Sequence, residues 1–370
     1  MKIAYLANVR FPSERAHAVQ IAHMCEAFVT SGLSVDLYAN KRNQVSKKEI
    51  DDFFGFKSNF TVNYISSSKL FSGLRLSFFI SEFWFTISFL LCASKKKYHV
   101  IYTRHEVIAF ILSLFFPISQ VIWESHEASF NIFARNLLRR GISCVCISDG
   151  IHAFYKRKNI SDRQLFIAYD GVDESFFDPL AEQDEVRAKL GLGNYKRIVM
   201  YIGGFDSWKG IDTFFESSRQ LSNYQFVAIG GHQDDVKKYS NKYPDILFLG
   251  TLPYKDLSFN QRAADVLVIP NTATVPVSSQ YTSPLKLFAH LSSGVPLVIT
   301  DIPSLTSVVN EPLVTVCKPD DIQSMAEAIR IVFTNLSSKR EQATRLRVYA
   351  HKYTWTERAR SIVNFISNSN

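Results

Sequence analysis

Apolar residues recur along this chain in two ways: short solid runs of four to six, and longer stretches where they return every third or fourth position. The solid runs read as buried strands at 3–7, 35–38, 100–103, 120–123, 144–148 and 165–169, and again at 197–202, 225–229, 246–249, 265–270 and 296–300. The periodic stretches read as helices at 16–31, which Gly32 closes, at 74–93, near 107–115, and onward from Gly210. Strands alternate with helices twice over, and a charged, polar stretch from Pro179 to about Tyr195 separates the two series as a linker with a short helix. The expected architecture is α/β, with two doubly wound Rossmann-like domains facing a central cleft.

The most heavily punctuated stretch is Ser283 to Pro296. Ser283 suits a helix N-cap and Pro284 the first helical position, while Gly294 suits a left-handed close and Pro296 a stop. Flanked by the apolar runs 265–270 and 296–300, it forms a strand–loop–helix–strand unit. Its helix head would offer amides to a phosphate, and Lys286 adds a full charge. The same punctuation also suits an ordinary capped helix with a surface lysine.

The first strand and helix lack Gly-x-Gly-x-x-Gly, which argues against a nicotinamide or flavin enzyme; Arg15, Ala16 and His17 at the helix head could still touch an anion. His126 follows a strand, a position suited to chemistry in an α/β fold and equally to a surface histidine. Residues 41–73 are polar and basic and read as an irregular surface excursion. The run 74–93 is long enough for a membrane span, but Arg75 and Glu82 inside it favour a core helix with an exposed apolar side. Lys95, Lys96 and Lys97 follow, either solvated or resting on an anionic membrane surface.

At 370 residues the chain is long enough for two domains, and 46% hydrophobic against 21% charged residues suits packed cores. The net charge of +8 is uneven: residues 1–175 carry an excess of +6 and residues 176–370 one of +2. Met1 to Leu6 run straight into a strand pattern, so no secretory leader is read there. Five cysteines in apolar contexts, without metal spacing, suggest buried thiols in a reducing cytoplasm.

Several segments together resemble the retaining glycosyltransferases of family 4, which have the GT-B fold. In the second half these are Tyr201-Ile202-Gly203-Gly204, Trp208-Lys209-Gly210-Ile211-Asp212, Ser283-Pro284-Leu285-Lys286-Leu287-Phe288, Gly294-Val295-Pro296 and Asp301-Ile302-Pro303-Ser304. In the first half they are residues 16–32, Tyr102-Thr103-Arg104, Ser148 and Gly171-Val172-Asp173, and near the end Tyr353-Thr354-Trp355-Thr356-Glu357-Arg358-Ala359. The resemblance implies an acceptor-binding domain over 1–175, a nucleotide-sugar-binding domain over 176–350, and a closing helix within 351–370 that packs back on the first domain.

It also implies an activity: a hexosyltransferase-type enzyme (EC 2.4) moving a sugar from a nucleotide sugar to a glycan or lipid-linked acceptor, with retention, in surface polysaccharide synthesis. Its place would be cytoplasmic, peripheral on the inner face of the membrane, with no nucleic-acid partner. Donor binding would fall to Gly203, Gly204, Lys209, Tyr281, Ser283, Leu285 and Lys286, and His126 would reach the transferred sugar. No metal or other cofactor is expected, since fixed protein donors can stabilise a leaving diphosphate. The chain departs from the family pattern at Gly204, where an arginine is usual, and at Tyr281 and Ala289, where glutamates are usual. Losing a charged partner to a ribose hydroxyl costs about 1.5–3 kcal/mol, roughly ten- to a hundredfold in affinity. A GT-B-shaped binding or scaffold protein is therefore the alternative; a nucleotide-sugar epimerase fits the specific segments less well.

Overall fold

The computed structural model describes residues 1–41, 44–56, 58–67, 75–193, 195, 197–310 and 312–369. They form two compact units, one of Met1–Tyr169 with Trp355–Asn370 and one of Asp170–Thr354.

In the first unit the elements run β1 (Lys2–Ala7), α1 (Ala16–Thr30), β2 (Ser34–Asn40), α2 (Lys47–Phe54), β3 (Thr61–Ile65), α3 (Arg75–Ala93), β4 (Val100–Thr103), α4 (Glu106–Leu112), β5 (Val121–Ser125), α5 (Ile132–Arg139), β6 (Ser143–Cys146), α6 (Asp149–Lys156) and β7 (Leu165–Ile167). The strands pair in parallel in the order β3-β2-β1-β4-β5-β6-β7. In the second unit they run α7 (Gln183–Lys189), β8 (Ile198–Ile202), α8 (Ile211–Ser218), β9 (Gln225–Ile229), α9 (Gln233–Lys242), β10 (Ile246–Gly250), α10 (Leu257–Asn260), β11 (Val266–Ile269), α11 (Leu285–Leu291), β12 (Leu297–Thr300), α12 (Pro303–Thr306), β13 (Thr315–Cys317), α13 (Ile322–Thr334) and α14 (Leu336–Ala350). That sheet, also parallel, has the order β10-β9-β8-β11-β12-β13. The last helix, α15 (Trp355–Ser369), belongs to the first unit, where Trp355 stacks on His23 of α1.

Both sheets are doubly wound, and their central strands are buried on both faces. This is why they appear in the sequence as unbroken apolar runs. In each sheet the strand order reverses once, between β1 and β4 and between β8 and β11. Ligands of open α/β sheets bind outside the carboxyl ends of the strands at that reversal.

Three expectations are corrected. The stretch 41–73 is not wholly irregular: α2 and the edge strand β3 lie within it. Ser46 and Glu49 close a capping box on α2 and left-handed Gly55 ends it. Among the described residues β3 pairs with one strand, β2, and its surface is mostly half-exposed, so it carries no apolar run to announce it. Second, Ser283 does not cap α11. Pro284 occupies the N-cap position in an extended conformation, and the Ser283 hydroxyl accepts the Asp170 N–H at 2.9 Å. Third, Cys92 is exposed, whereas the other four thiols are buried.

Helix α3 begins at Arg75; Leu74, where the sequence suggested a start, lies outside the described residues, as does Asn370 at the other end of the chain. Its inner face is Glu82, Phe85, Thr86, Phe89 and Ala93, at helical spacing, while Phe78, Phe79, Phe83, Trp84 and Leu91 are exposed. Among the described residues no helix is long and apolar enough to cross a membrane.

Candidate active site

In the second unit the reversal point is built from two loops pressed together. The loop after β8 runs from Gly203 to Gly210, and the loop after β11 begins at Pro270. Gly210 has φ +68°, and a Cβ there would lie 1.9 Å from the Pro270 carbonyl oxygen, so only glycine allows this approach. The Tyr201 hydroxyl donates to the Gly204 carbonyl at 2.6 Å and steadies the loop.

Two lysines converge on that loop. Lys209 lies 2.6 Å from Asp206, and its hydrogen bond holds the Asp206 carboxyl below its ordinary range. A Cβ on Gly204 would come within 2.7 Å of the Lys209 Nζ and 3.1 Å of the Asp206 carboxylate. The Lys209 ammonium, the far end of a flexible side chain, thus fills the space beside Gly204. Lys286, in the first turn of α11, places its Nζ 4.7 Å from the centre of the Tyr201 ring. The stem is partly exposed, but the Nζ is sealed from solvent and has no hydrogen-bond partner. Burial, then the nearby charge of Lys209, hold it well below the ordinary lysine value of 10.5, with Asp206 opposing only in part. Two cations face one carboxylate here. An unpartnered buried cation is costly, and an anion of charge one or two would satisfy it.

The other predicted donor residues surround this point in sequence. Gly203 turns the chain out of β8 with φ +153°. Leu285 opens α11, whose first amides have no partner inside the helix. Tyr281 ends a wide helical turn, Val277–Tyr281, just before it. Ala289 is 1% exposed and His290 fully buried, so neither offers a surface hydroxyl acceptor. Burial, then Lys286, hold His290 down at about 3, and its Nδ1 meets Gln261 at 3.1 Å.

In the first unit the reversal point carries a different chemistry. His126 follows β5 directly, with its Nε2 2.5 Å from Glu124 and its Nδ1 3.0 Å from an Arg104 nitrogen. An ionised carboxylate only accepts and a guanidinium only donates, so the imidazole is neutral with its proton on Nε2. Burial, then Arg104, hold it down at about 4. Glu124 is completely buried, and it also accepts from Gln20 at 2.6 Å and from the Tyr102 hydroxyl. Arg358 of α15 completes its shell at 3.1 Å. Burial alone would raise the Glu124 carboxyl, but Arg358 and then His126 outweigh it and hold the group well below its ordinary range.

Both ring nitrogens of His126 are therefore committed within the unit. A proton titration should find His126 neutral down to about pH 4, so NMR of its ring should show no change through the ordinary value of 6.5. The linkage has a definite sign. Above pH 6.5 both the folded and the unfolded chain hold a neutral imidazole; as pH falls from 6.5 to about 4 only the unfolded chain takes the proton, so stability is lost over that window. His17, also held near 4 by burial and then Arg104, adds to the same trend. His126→Gln should flatten the fall in melting temperature between pH 7 and pH 4.5; an unchanged slope would contradict the assignment.

A pocket of about 410 Å³ opens beside this network, lined by residues that include Asn8, His17, Phe78, Glu82, Arg104, His105, Trp123 and His126. A second, wider groove of about 800 Å³ shares Asn8, Val9 and His17 with it and continues past Arg10, Arg15 and Glu49. Sequence reasoning did not assign Glu124, Arg358, Glu82 or His105 to a site. Glu82 had a signal, a carboxylate inside an otherwise apolar helix. The Glu124–Arg358 pair joins residues 234 positions apart and had none.

These two architectures are those of GT-B glycosyltransferases. Residues 196–335, within the second unit, match the family model for glycosyl transferases group 1. Thermosynechococcus elongatus sucrose-phosphate synthase superposes with a TM-score of 0.81 at 18% identity, covering 99% of this chain and 98% of that one. HepE of Anabaena, solved with UDP and glucose, superposes with a TM-score of 0.75 at 16% identity over 99% of each chain. At such identities the likeness is one of fold. TuaH of Bacillus subtilis (strain 168), named for teichuronic acid biosynthesis, is 24% identical over 182 residues, which are 48% of this chain and 45% of its own length. The chain spans less than half the length of the curated relatives it matches.

Proposed function

We propose that this chain is a retaining glycosyltransferase of family 4, acting without a metal or other cofactor, that moves a sugar from a nucleotide sugar onto a glycan or lipid-linked acceptor in surface polysaccharide synthesis. The observation that carries this reading is the sealed, unpartnered Lys286 Nζ beside Lys209, at the reversal point of a domain matching glycosyl transferases group 1. As the bond between the anomeric carbon and the diphosphate oxygen breaks, its electron pair leaves on the diphosphate. The acceptor oxygen bonds to that carbon, and the nucleoside diphosphate and the hydroxyl proton are released. Lys209 and Lys286 neutralise the charge that develops, an interaction strongest where charge is greatest. Gly203, Gly204, Tyr281, Ser283 and Leu285 shape the same donor site in this reading; Ser283 contributes by tying Asp170 to the head of α11. His126 is the first-unit residue that the family resemblance assigns to the transferred sugar, and both its ring nitrogens are engaged by Glu124 and Arg104. The names of HepE's ligands and of TuaH's pathway support a nucleotide-activated donor and a surface-glycan acceptor.

A panel of nucleotide sugars tests this by turnover, by the anomer formed and by protection against heat. A scaffold protein remains the competing reading because Ala289 supplies no acceptor for a ribose hydroxyl. It predicts binding without any release of nucleoside diphosphate.

The proposed place of action is the cytoplasmic membrane surface. Besides the exposed aromatic side of α3, the same unit exposes Leu114, Phe115 and Ile132; exposed apolar side chains of this kind suit a membrane surface. Of the three lysines after α3, Lys96 is not simply solvated: it lies 3.4 Å from Asp36 and 3.3 Å from the Tyr38 hydroxyl. Lys95 and Lys97 are exposed. The double variant Lys95→Gln/Lys97→Gln should lose about 2 kcal/mol of affinity for anionic vesicles, at about 1 kcal/mol per lysine, and salt should weaken the wild-type interaction. Equal flotation with neutral and anionic vesicles would remove the membrane from the account.

A further inference from the structure

We propose that the pocket at the carboxyl edge of β1, β4 and β5 seats one neutral pyranose ring of the acceptor, held by Glu82, His105 and Trp123. Only the word acceptor rests on the glycosyltransferase reading; the pocket's preference for a pyranose is testable without it.

Two residues lining this pocket carry buried polar atoms that nothing in the folded chain satisfies. Glu82, 1% exposed, has one carboxylate oxygen, Oε2, with no partner. Trp123, 2% exposed, has an unpartnered indole N–H. One is an acceptor and the other a donor, and each is expensive to leave unmatched. A carbohydrate hydroxyl both donates and accepts, so adjacent hydroxyls of one ring can satisfy the two together.

His105 supplies the third contact. Its Nδ1 lies 3.2 Å from Glu82 Oε1, the oxygen that also accepts from Asn8 at 3.1 Å. With Nδ1–H donating to the carboxylate, a neutral ring presents Nε2 as an acceptor, and the dyad fixes that tautomer. The His105 side chain is 17% exposed and lines the pocket, so a ligand hydroxyl can reach it. Phe78, more than half exposed at the rim, offers an aromatic face to the C–H side of a sugar ring.

Charge argues against an anionic occupant. Glu82, Glu106 and Glu127 all line the pocket. Its one arginine, Arg104, already donates to the His17 carbonyl at 3.2 Å, to Gln20 at 2.8 Å and to His126 at 3.0 Å. A phosphate or uronate would meet three carboxylates and a guanidinium whose donors are largely taken. A neutral ring meets neither difficulty, and about 410 Å³ is within the range of small-ligand pockets.

Saturation-transfer NMR on the full chain, with methyl pyranosides of glucose, galactose, N-acetylglucosamine and glucuronic acid, tests this. At least one neutral pyranoside should receive saturation. Its affinity should fall about tenfold or more in His105→Ala and Glu82→Gln, and about three- to tenfold in Trp123→Phe, which removes only the N–H. Binding of UDP, GDP or ADP, whichever the wild type takes, should stay within about twofold in all three variants, because their positions lie in the other unit. No saturation of any neutral pyranoside, stronger binding of the glucuronoside, or unchanged affinity in both Trp123→Phe and His105→Ala would overturn the assignment. Pyranoside binding without any nucleotide binding would sink the donor-site reading and leave this one standing. Nucleotide binding without pyranoside binding would do the reverse.

Discussion

Lys286→Met is expected to make the free protein more stable while removing most of its affinity for a nucleoside diphosphate. An ordinary surface lysine predicts neither effect. The Nζ is sealed and unpartnered, so the free protein bears a cost in either protonation state, that of a desolvated cation or that of a lysine made to give up its proton. Methionine keeps the stem's volume and removes that cost, worth about 1–3 kcal/mol, a rise of roughly 2–4 °C for each kcal/mol in a unit of this size. The lost charge-assisted contact to a diphosphate should weaken binding by about 2–5 kcal/mol, thirtyfold or more. The pH dependence has a matching sign. Because the folded chain holds Lys286 well below 10.5, the unfolded chain takes up its proton first as pH falls from 10.5 toward the depressed value, and stability is lost across that window. A bound diphosphate favours the charged form and restores what was lost, so wild-type binding should take up a proton where Lys286→Met binding does not. Calorimetry in buffers of different ionisation heat reads this directly. A variant that melts lower than wild type, or binds the nucleotide equally well, would contradict this placement of the diphosphate.

Arg358→Met carries the largest expected loss of stability. Arg358 and Glu124 are 3% and 0% exposed at the side chain, and the guanidinium also donates to the Tyr169 carbonyl at 2.7 Å. Removing one partner of such a pair leaves an uncompensated buried charge, at about 3–5 kcal/mol. The first unit's melting temperature should therefore fall by on the order of 10 °C. Arg358→Lys should recover only part of this, since one ammonium cannot replace a fork that also holds the main chain. The double variant Arg358→Met/Glu124→Gln should be more stable than the two single losses added together. Additive losses in a denaturation series would show that the two charges do not depend on each other. The same pair explains why α15 belongs to the first unit although the chain reaches it only after completing the second.

How much of this is legible before folding follows from burial. β4 and β9 appear in the sequence with their observed bounds, Val100–Thr103 and Gln225–Ile229, because a strand covered on both faces must be apolar throughout. β8 begins one residue later than its apolar run suggests, because Arg197 sits at φ +65°, outside strand geometry. The donor-site residues are recognisable as types: glycines, a proline and lysines around helix and strand ends. Their energetic state is not. Nothing near Lys286 in sequence shows that Tyr201, eighty-five positions earlier, will lie against its ammonium. Ser283 reads as a cap because serine before proline usually is one, and only tertiary contact with Asp170 decides otherwise. Glu82 is the instructive case. A carboxylate in an apolar helix argues against a membrane span, and the same residue, paired with His105, then becomes part of a pocket.

On the reading proposed above, the second unit holds a nucleotide sugar whose leaving diphosphate is neutralised by Lys209 and Lys286. Its most direct test needs no acceptor: each member of a nucleotide-sugar panel is incubated with the purified chain, and slow transfer to water is followed as released nucleoside diphosphate. The account predicts release from at least one donor by the wild type, and a loss of about a hundredfold or more in Lys209→Ala with the fold intact. Release at the wild-type rate by Lys209→Ala, or no release and no thermal protection by any donor, would contradict it.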